Sequence, residues 1–86
     1  MIYRLYLDSK AEKNLNKLLD LDIVKVQTAF VVIASNPFVG KKLKGEQKNE
    51  WSYRVWPFRI IYRIYKNELI VLVINYGHRQ GNEKGY

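Results

Sequence analysis

Arginines alternate with aromatic and aliphatic residues between Trp51 and Arg79, and this pattern constrains the fold more than any other feature of the chain. A hairpin that turns at Trp56-Pro57 would carry apolar side chains on one face and arginines on the other, because side chains alternate between the faces of a strand. With a turn of even length, Arg54 and Arg59 become near cross-strand neighbours on the same face. Like charges placed opposite one another are destabilising, so this face is predicted to hold an anion.

The length and composition predict one small domain spanning residues 1–86. Eighty-six residues leave no room for a second core, and an apolar fraction of 48% favours a packed globule over disorder. The chain has no cysteine, which excludes a disulfide framework and a thiolate metal site. The opening lacks a long apolar signal segment, and the longest apolar run, Leu69 to Ile74, is too short to cross a bilayer. A cytoplasmic protein is therefore expected.

Positive charge is concentrated in residues 41–66. This stretch has eight Lys or Arg against two Asp or Glu, which accounts for +6 of the net charge of +7. The lysines of the run Lys41–Lys48 also fit a solvated loop, and single strand arginines often cover aromatic residues with their stems. Arginines interleaved with aromatics on strands, however, are typical of a nucleic-acid-binding face.

The first half of the chain predicts one strand followed by two helices. Ile2 to Leu7 alternates like a strand, and Ser9 with Glu12 has the spacing of a capping box at the start of a helix. In that helix, apolar residues recur at helical spacing and lysines occupy the other side. The apolar positions are Ala11, Leu15, Leu18 and Leu19.

A second helix is predicted from Leu21 or Asp22 to Asn36-Pro37, with Asp20 or Asp22 as its cap. Its central residues, Phe30 to Ile33, also fit a buried strand, because most of them are β-branched. The length of the segment and its Asn-Pro stop favour the helix.

The second half predicts a polar connection over Phe38 to Glu50 and then three consecutive strands. The hairpin supplies two of them, Lys66 to Glu68 forms the next turn, and Leu69 to Tyr76 is apolar on both faces. Such a strand belongs in the middle of a sheet or beneath helices. The predicted fold is α+β, in the order β-α-α-β-β-β, with an antiparallel-rich sheet and a helical hairpin packed on one of its faces.

The available side chains limit the possible chemistry. With one histidine, no cysteine and dispersed carboxylates, no metal site and no cofactor are expected. None of the serines has the context of a hydrolase nucleophile, and glycine-rich phosphate loops are absent. Guanidinium, imidazole and phenol groups can stabilise a phosphate and transfer protons, but they offer no metal-bound hydroxide as a nucleophile. RNA brings its own 2′-hydroxyl, so cleavage of a nucleic acid by this chain would favour RNA transesterification.

Four short motifs in order resemble the RelE/ParE superfamily of toxin–antitoxin toxins. They are KKLKG at Lys41–Gly45, SYRV at Ser52–Val55, FRIIYRI at Phe58–Ile64 and GHR at Gly77–Arg79. The likeness spans nearly the whole chain. It implies a RelE-like α+β fold and, in the RelE branch, cleavage of mRNA in the ribosomal A site to give a 2′,3′-cyclic phosphate. It also implies restraint by a cognate antitoxin protein.

The resemblance assigns catalytic roles residue by residue. Arg59 matches the arginine of the central strand that binds the scissile phosphate, and Arg79 matches the second catalytic arginine after the last strand. Arg54 stands where the family has a lysine or arginine. His78 falls where other members have a basic residue or histidine, and Tyr86 is the candidate for the C-terminal tyrosine that stacks on a base or transfers a proton.

Further basic residues are expected to contact the RNA backbone, namely Lys41, Lys42, Lys44, Lys48 and Arg63. Two positions depart from the family pattern: Ser52 stands where the best-known members carry a lysine, and Tyr86 lies farther beyond Arg79 than is usual. The ParE branch, whose members poison DNA gyrase, generally lacks the arginine–tyrosine set. Together with the residue chemistry, the resemblance therefore implies a ribosome-dependent mRNA interferase, with a gyrase inhibitor and a non-catalytic RNA-binding module as alternatives.

Overall fold

A computed structural model describes residues 2–43 and 49–78, the last four of these by their backbone alone. Strand β1 (Arg4–Leu7) is followed by helices α1 (Ser9–Asn16) and α2 (Asp20–Ser35). A 3-10 helix at Pro37–Val39 leads into the short strand β2 (Lys41–Lys42). Strands β3 (Glu50–Val55), β4 (Phe58–Tyr65) and β5 (Ile70–His78) complete the order.

The strands form one five-stranded sheet in the order β1-β5-β4-β3-β2. The pairs among β2, β3, β4 and β5 are antiparallel, whereas β1 lies parallel to β5. The α+β class and the position of β5 inside the sheet are confirmed. Strand β2 lies within the predicted connection Phe38 to Glu50, so the predicted β-α-α-β-β-β order lacked one strand. Two residues are too few to produce a recognisable alternation.

Both helices pack on one face of the sheet and enclose the core. On β4 every second residue is buried, from Phe58 to Ile64, as the alternation predicts. Trp51, Tyr53 and Val55 of β3 are half-buried and pack against this core. The largest fully buried side chains include Tyr62, Ile60, Ile33, Val26, Val71 and Val73. The opposite face of the sheet, called the open face below, carries the arginines.

The helix starts differ from the predictions. The capping box of Ser9 and Glu12 is wrong, because Ser9 already belongs to α1 and Asp8 is its N-cap, with Oδ1 accepting the Ala11 N–H at 3.0 Å. Helix α2 has Leu19 as its N-cap, without a side-chain hydrogen bond.

The two aspartates that were predicted to cap α2, Asp20 and Asp22, lie in its first turn. Negative charge there interacts favourably with the helix dipole, so these residues still stabilise the helix start.

The other boundaries are close to those predicted. Strand β1 begins at Arg4 rather than Ile2, and α1 ends before Leu18 and Leu19. Leu18 still packs against the core, whereas Leu19 is 75% exposed. In the described residues, neither helix is long and apolar enough to span a membrane.

Candidate anion-binding site

The β3–β4 hairpin places two arginines directly opposite each other on the open face. Val55 pairs with Phe58 across the turn, so Arg54 pairs with Arg59, which confirms the predicted register. Paired residues of antiparallel strands share a face. Because Tyr53 and Ile60 turn toward the helices, Arg54 and Arg59 turn away from them. Arg54 is exposed and Arg59 is half-buried.

A concave pocket with a volume of about 580 Å³ lies beside this pair. It is bounded by β3 and β4 and by the segment that runs from the 3-10 helix through β2. Its lining residues are Val39, Gly40, Lys41, Leu43, Ser52, Tyr53, Arg54 and Arg59. Three cations therefore surround one concavity, and such a site attracts an anion.

The register of β2 separates the two adjacent lysines that the sequence predicts to bind RNA. Lys41 pairs with Ser52, and Lys42 pairs with Trp51. Since Trp51 packs toward the core side and Ser52 belongs to the open face, the two lysines lie on opposite faces of the sheet. Lys41 lines the pocket and Lys42 does not.

Buried Tyr62 fixes the segment that carries Lys41. Its hydroxyl donates to the Pro37 carbonyl at 2.6 Å and accepts the backbone N–H of Gly40. Burial raises the pKa of Tyr62 to about 12, so the phenol stays neutral and able to donate. A Cβ at position 40 would collide with this hydroxyl and would lie 2.7 Å from the Ser52 carbonyl oxygen. Only glycine brings the backbone this close.

Arg63 lies on the same face of β4 but differs from Arg59 in its electrostatic surroundings. Its Nη2 lies 3.1 Å from Glu50 Oε2, and this hydrogen bond raises the pKa of Arg63. No other ion pair forms among the residues that the structure describes. The three cations of the pocket thus have no described carboxylate partner, whereas the charge of Arg63 is offset.

The end of β5 approaches the arginine pair. Gly77 pairs with Arg59, and His78 pairs with Phe58 at the hairpin end of β4. The backbone of His78 thus lies near the pocket, and its side chain is outside the described part of the chain. Four further predicted residues lie outside the described residues: Lys44, Lys48, Arg79 and Tyr86. Within the described part, no cluster of His, Cys, Asp or Glu is suited to hold a metal ion.

Sequence reasoning missed the supporting residues of this site. The alternation of Tyr62 with Ile60 and Ile64 indicates a core position and gives no sign of the two hydrogen bonds that its hydroxyl forms. Gly40 lies in the predicted polar connection Phe38 to Glu50, where a glycine usually indicates a turn rather than a close contact with a neighbouring strand. The distinction between Lys41 and Lys42 depends on the register of β2, which two residues do not reveal.

Comparisons with solved structures show which proteins share this fold. The toxin–antitoxin complex RelBE2 from Mycobacterium tuberculosis matches with a TM-score of 0.84 and 28% identity over 92% of this chain and 93% of that chain. The isolated E. coli RelE toxin matches with a TM-score of 0.78 and 22% identity, covering 88% of this chain and 83% of that chain.

An archaeal RelE–RelB complex from Pyrococcus horikoshii OT3 gives a TM-score of 0.78 at 17% identity, covering 92% of this chain and 97% of that chain. The last two matches share less than 25% sequence identity with this chain, so they show a likeness of fold alone.

Sequence comparisons identify the family. A search of curated proteins gives no match. The family model described as the ParE toxin of the type II toxin–antitoxin system matches residues 5–83, which is most of the chain. The superfamily that the four motifs predicted is thereby confirmed. The chain belongs to the ParE toxin family of type II toxin–antitoxin systems, within the RelE/ParE superfamily.

Proposed function

We propose that this toxin is a ribosome-dependent mRNA endonuclease that cleaves by 2′-hydroxyl transesterification. The observation that carries the proposal is the pair of arginines, Arg54 and Arg59, held directly opposite each other beside a pocket. The repulsion between them is relieved when an anion binds. A phosphodiester fits, because planar guanidinium groups donate paired hydrogen bonds to phosphate oxygens.

In the proposed reaction, the 2′-oxygen attacks the adjacent phosphorus and the bond from phosphorus to the 5′-oxygen of the next nucleotide breaks. One proton leaves the 2′-hydroxyl and one reaches the departing 5′-oxygen, so the products are a 2′,3′-cyclic phosphate and a 5′-hydroxyl. Arg59 and Arg79 would stabilise the charge of the pentavalent phosphate, and Arg54 would position the 2′-hydroxyl or the backbone. His78 or Tyr86 would act as acid or base.

The pairing of β4 with β5 supports an active site that combines residues from the ends of both strands. The last residues of β5 pair with Arg59 and its neighbour Phe58, and Arg79 follows β5 immediately in the chain. No metal enters the proposed steps, since the substrate supplies the nucleophile.

The test is cell-free translation of a defined message, with new RNA ends mapped by primer extension. We expect breaks at ribosome-occupied codons that are absent without ribosomes. Arg59→Ala should slow cleavage by about 10²–10³, the usual loss when one preorganised donor is removed. Arg63→Ala is the matched control on the same strand and face. Its effect should be much smaller, because Arg63 pairs with Glu50. Cleavage that survives Arg59→Ala would refute the catalytic assignment.

Inhibition of DNA gyrase is the second candidate, because the matching family model is that of the ParE toxins. It predicts loss of supercoiling activity in a gyrase assay with messages left intact. Arrested growth without new RNA ends would favour this candidate over the nuclease. A non-catalytic RNA-binding module would bind RNA and produce neither result.

We also propose a cognate antitoxin as protein partner, since the similar structures from M. tuberculosis and P. horikoshii are toxin–antitoxin complexes. The net charge of +7 favours an acidic segment. The outer face of α2 also exposes Leu21, Val24 and Val31, which fits the apolar side of an amphipathic helix. Co-expression with the neighbouring gene should yield a complex, and purification of the toxin alone from such cells would contradict this.

A further inference from the structure

We infer that Lys41, and not Lys42, binds a second phosphate of the RNA strand, next to the phosphate held by Arg54 and Arg59. This inference rests on the proposed function, because it assumes that the ligand of the pocket is RNA. Lys41 and Lys42 are neighbours in the sequence, and nothing in the sequence distinguishes their roles. The inference assigns them different roles. Its basis is the register of β2 on β3 and the way in which β2 is anchored.

The register spaces the three cations of the pocket across the sheet. Lys41 is opposite Ser52, and Ser52 is two residues before Arg54 on the same face. Such diagonal neighbours on paired strands lie about 7–8 Å apart. Arg59 lies one strand farther on, directly opposite Arg54. The three cations therefore form a row across β2, β3 and β4 rather than one cluster around a point.

The pocket offers more space and more hydrogen-bond donors than one phosphate needs. Two guanidinium groups already offer up to ten N–H donors, which is more than one phosphate can accept. The pocket volume of about 580 Å³ falls within the range of about 300–1,000 Å³ that is typical of sites for whole ligands. A phosphate on the arginine pair leaves space toward Ser52 and Lys41, and the next phosphate of the same strand fits there.

The backbone at Lys41 is held in place, while the charge of its side chain has no described carboxylate partner. Tyr62 hydrogen-bonds to Pro37 and Gly40, the residues that precede Lys41, and the Leu43 N–H donates to the Glu50 carbonyl at 2.9 Å. Anchors on both sides fix the backbone of β2. The small side chain of Ser52 opposite Lys41 leaves room for an ammonium group over the pocket.

The experiment measures binding of single-stranded RNA as a function of salt. The probe is a short RNA with 2′-methoxy groups, which keeps every phosphate charge but cannot undergo transesterification. We expect Lys41→Ala to reduce the slope of log K against log salt by about 0.7, the value for one phosphate contact on a single strand. Lys42→Ala, with the same loss of charge one residue away, should leave the slope close to that of the wild type.

A double variant tests the geometry directly. Lys41→Ser with Ser52→Lys moves the ammonium group across the β2–β3 pair, on the same face and at the same net charge. We expect it to restore the slope that Lys41→Ser alone loses. Thermal unfolding of each variant confirms that it is folded, which is expected because Lys41 is exposed.

The outcomes separate this inference from the proposed function. If the wild type binds the probe and cleaves messages but the Lys41 and Lys42 variants have equal slopes, the second-phosphate site is refuted and the nuclease stands. Failure of the double variant to recover the slope would likewise refute it. If the wild type neither binds the probe nor cleaves messages on ribosomes, both proposals fail.

Discussion

Removing the hydroxyl of Tyr62 should destabilise the protein and release the segment that carries Lys41. In Tyr62→Phe the ring remains, so no large cavity forms in a site where the side chain is fully buried. The Pro37 carbonyl and the Gly40 N–H both lose their partner. An unsatisfied buried polar group costs about 1–3 kcal/mol. Two such groups would cost about 2–6 kcal/mol if both were fully buried; because Gly40 is only half-buried, we expect a loss of about 2–4 kcal/mol in the free energy of unfolding at neutral pH.

The same hydroxyl predicts an alkaline limit to stability. The pKa of Tyr62 is raised from 10.0 to about 12, so the folded state keeps this proton when the unfolded state has lost it. The hydroxyl therefore contributes its full stabilisation below pH 10, and the contribution is lost as the pH rises from about 10 to about 12. The loss is about 1.4 kcal/mol for each pH unit, or about 2.7 kcal/mol over the window.

Urea unfolding at several pH values, monitored by circular dichroism, tests both effects. The difference in unfolding free energy between the wild type and Tyr62→Phe should be largest near neutrality and should shrink by about 2.7 kcal/mol toward pH 12. Tyr53→Phe is the matched control on the neighbouring strand, where the side chain is only half-buried. A difference between the wild type and Tyr62→Phe that is near zero at neutral pH, or independent of pH, would refute this account of Tyr62.

Three further variants test other parts of the structure. Gly40→Ala should lower both the free energy of unfolding and the affinity for RNA, because the added Cβ would collide with the backbone of Ser52. Normal RNA binding by this variant would contradict the close approach of Gly40 to Ser52. Asp8→Ala should lower the free energy of unfolding by about 1 kcal/mol in urea titrations, as expected for a lost N-cap, whereas Ser9→Ala should have little effect. Arg54→Thr should raise the melting temperature slightly at low salt, because it removes a like-charge repulsion of about 0.2–1 kcal/mol. The gain in melting temperature should vanish at high salt, which screens the repulsion. The same variant should bind RNA more weakly.

The hairpin and the helices could be predicted because each has a strong local signal. Period-2 alternation along β4 fixed which side chains are buried, and an even-length turn at Trp56-Pro57 then fixed the pairing of Arg54 with Arg59. The length and the Asn-Pro stop of the second apolar segment distinguished a helix from a strand despite its β-branched centre. These features depend on residues close together in the sequence.

The unpredicted features depend on contacts between distant residues. Strand β2 pairs with β3 just after Pro37, the residue to which Tyr62, twenty-five positions later in the chain, donates a hydrogen bond. The N-cap of α1 is an exception, because both candidates are local: Asp8 follows β1 in an extended conformation and its side chain accepts the Ala11 N–H, so Ser9 falls inside the helix. The parallel pairing of β1 with β5 likewise joins segments with no common pattern.

The position of β5 also bears on when this protein can become toxic. Strand β5 comes last in sequence among the described strands, yet it lies between β1 and β4. Until it has been synthesised, β1 has no partner in the sheet, and the hairpin lacks its neighbour on one side. Such pairing between distant segments forms late, because a long loop must close first. A chain from which β5 has not yet left the ribosome therefore cannot complete the sheet, and Arg59 on the open face still lacks its neighbour Gly77.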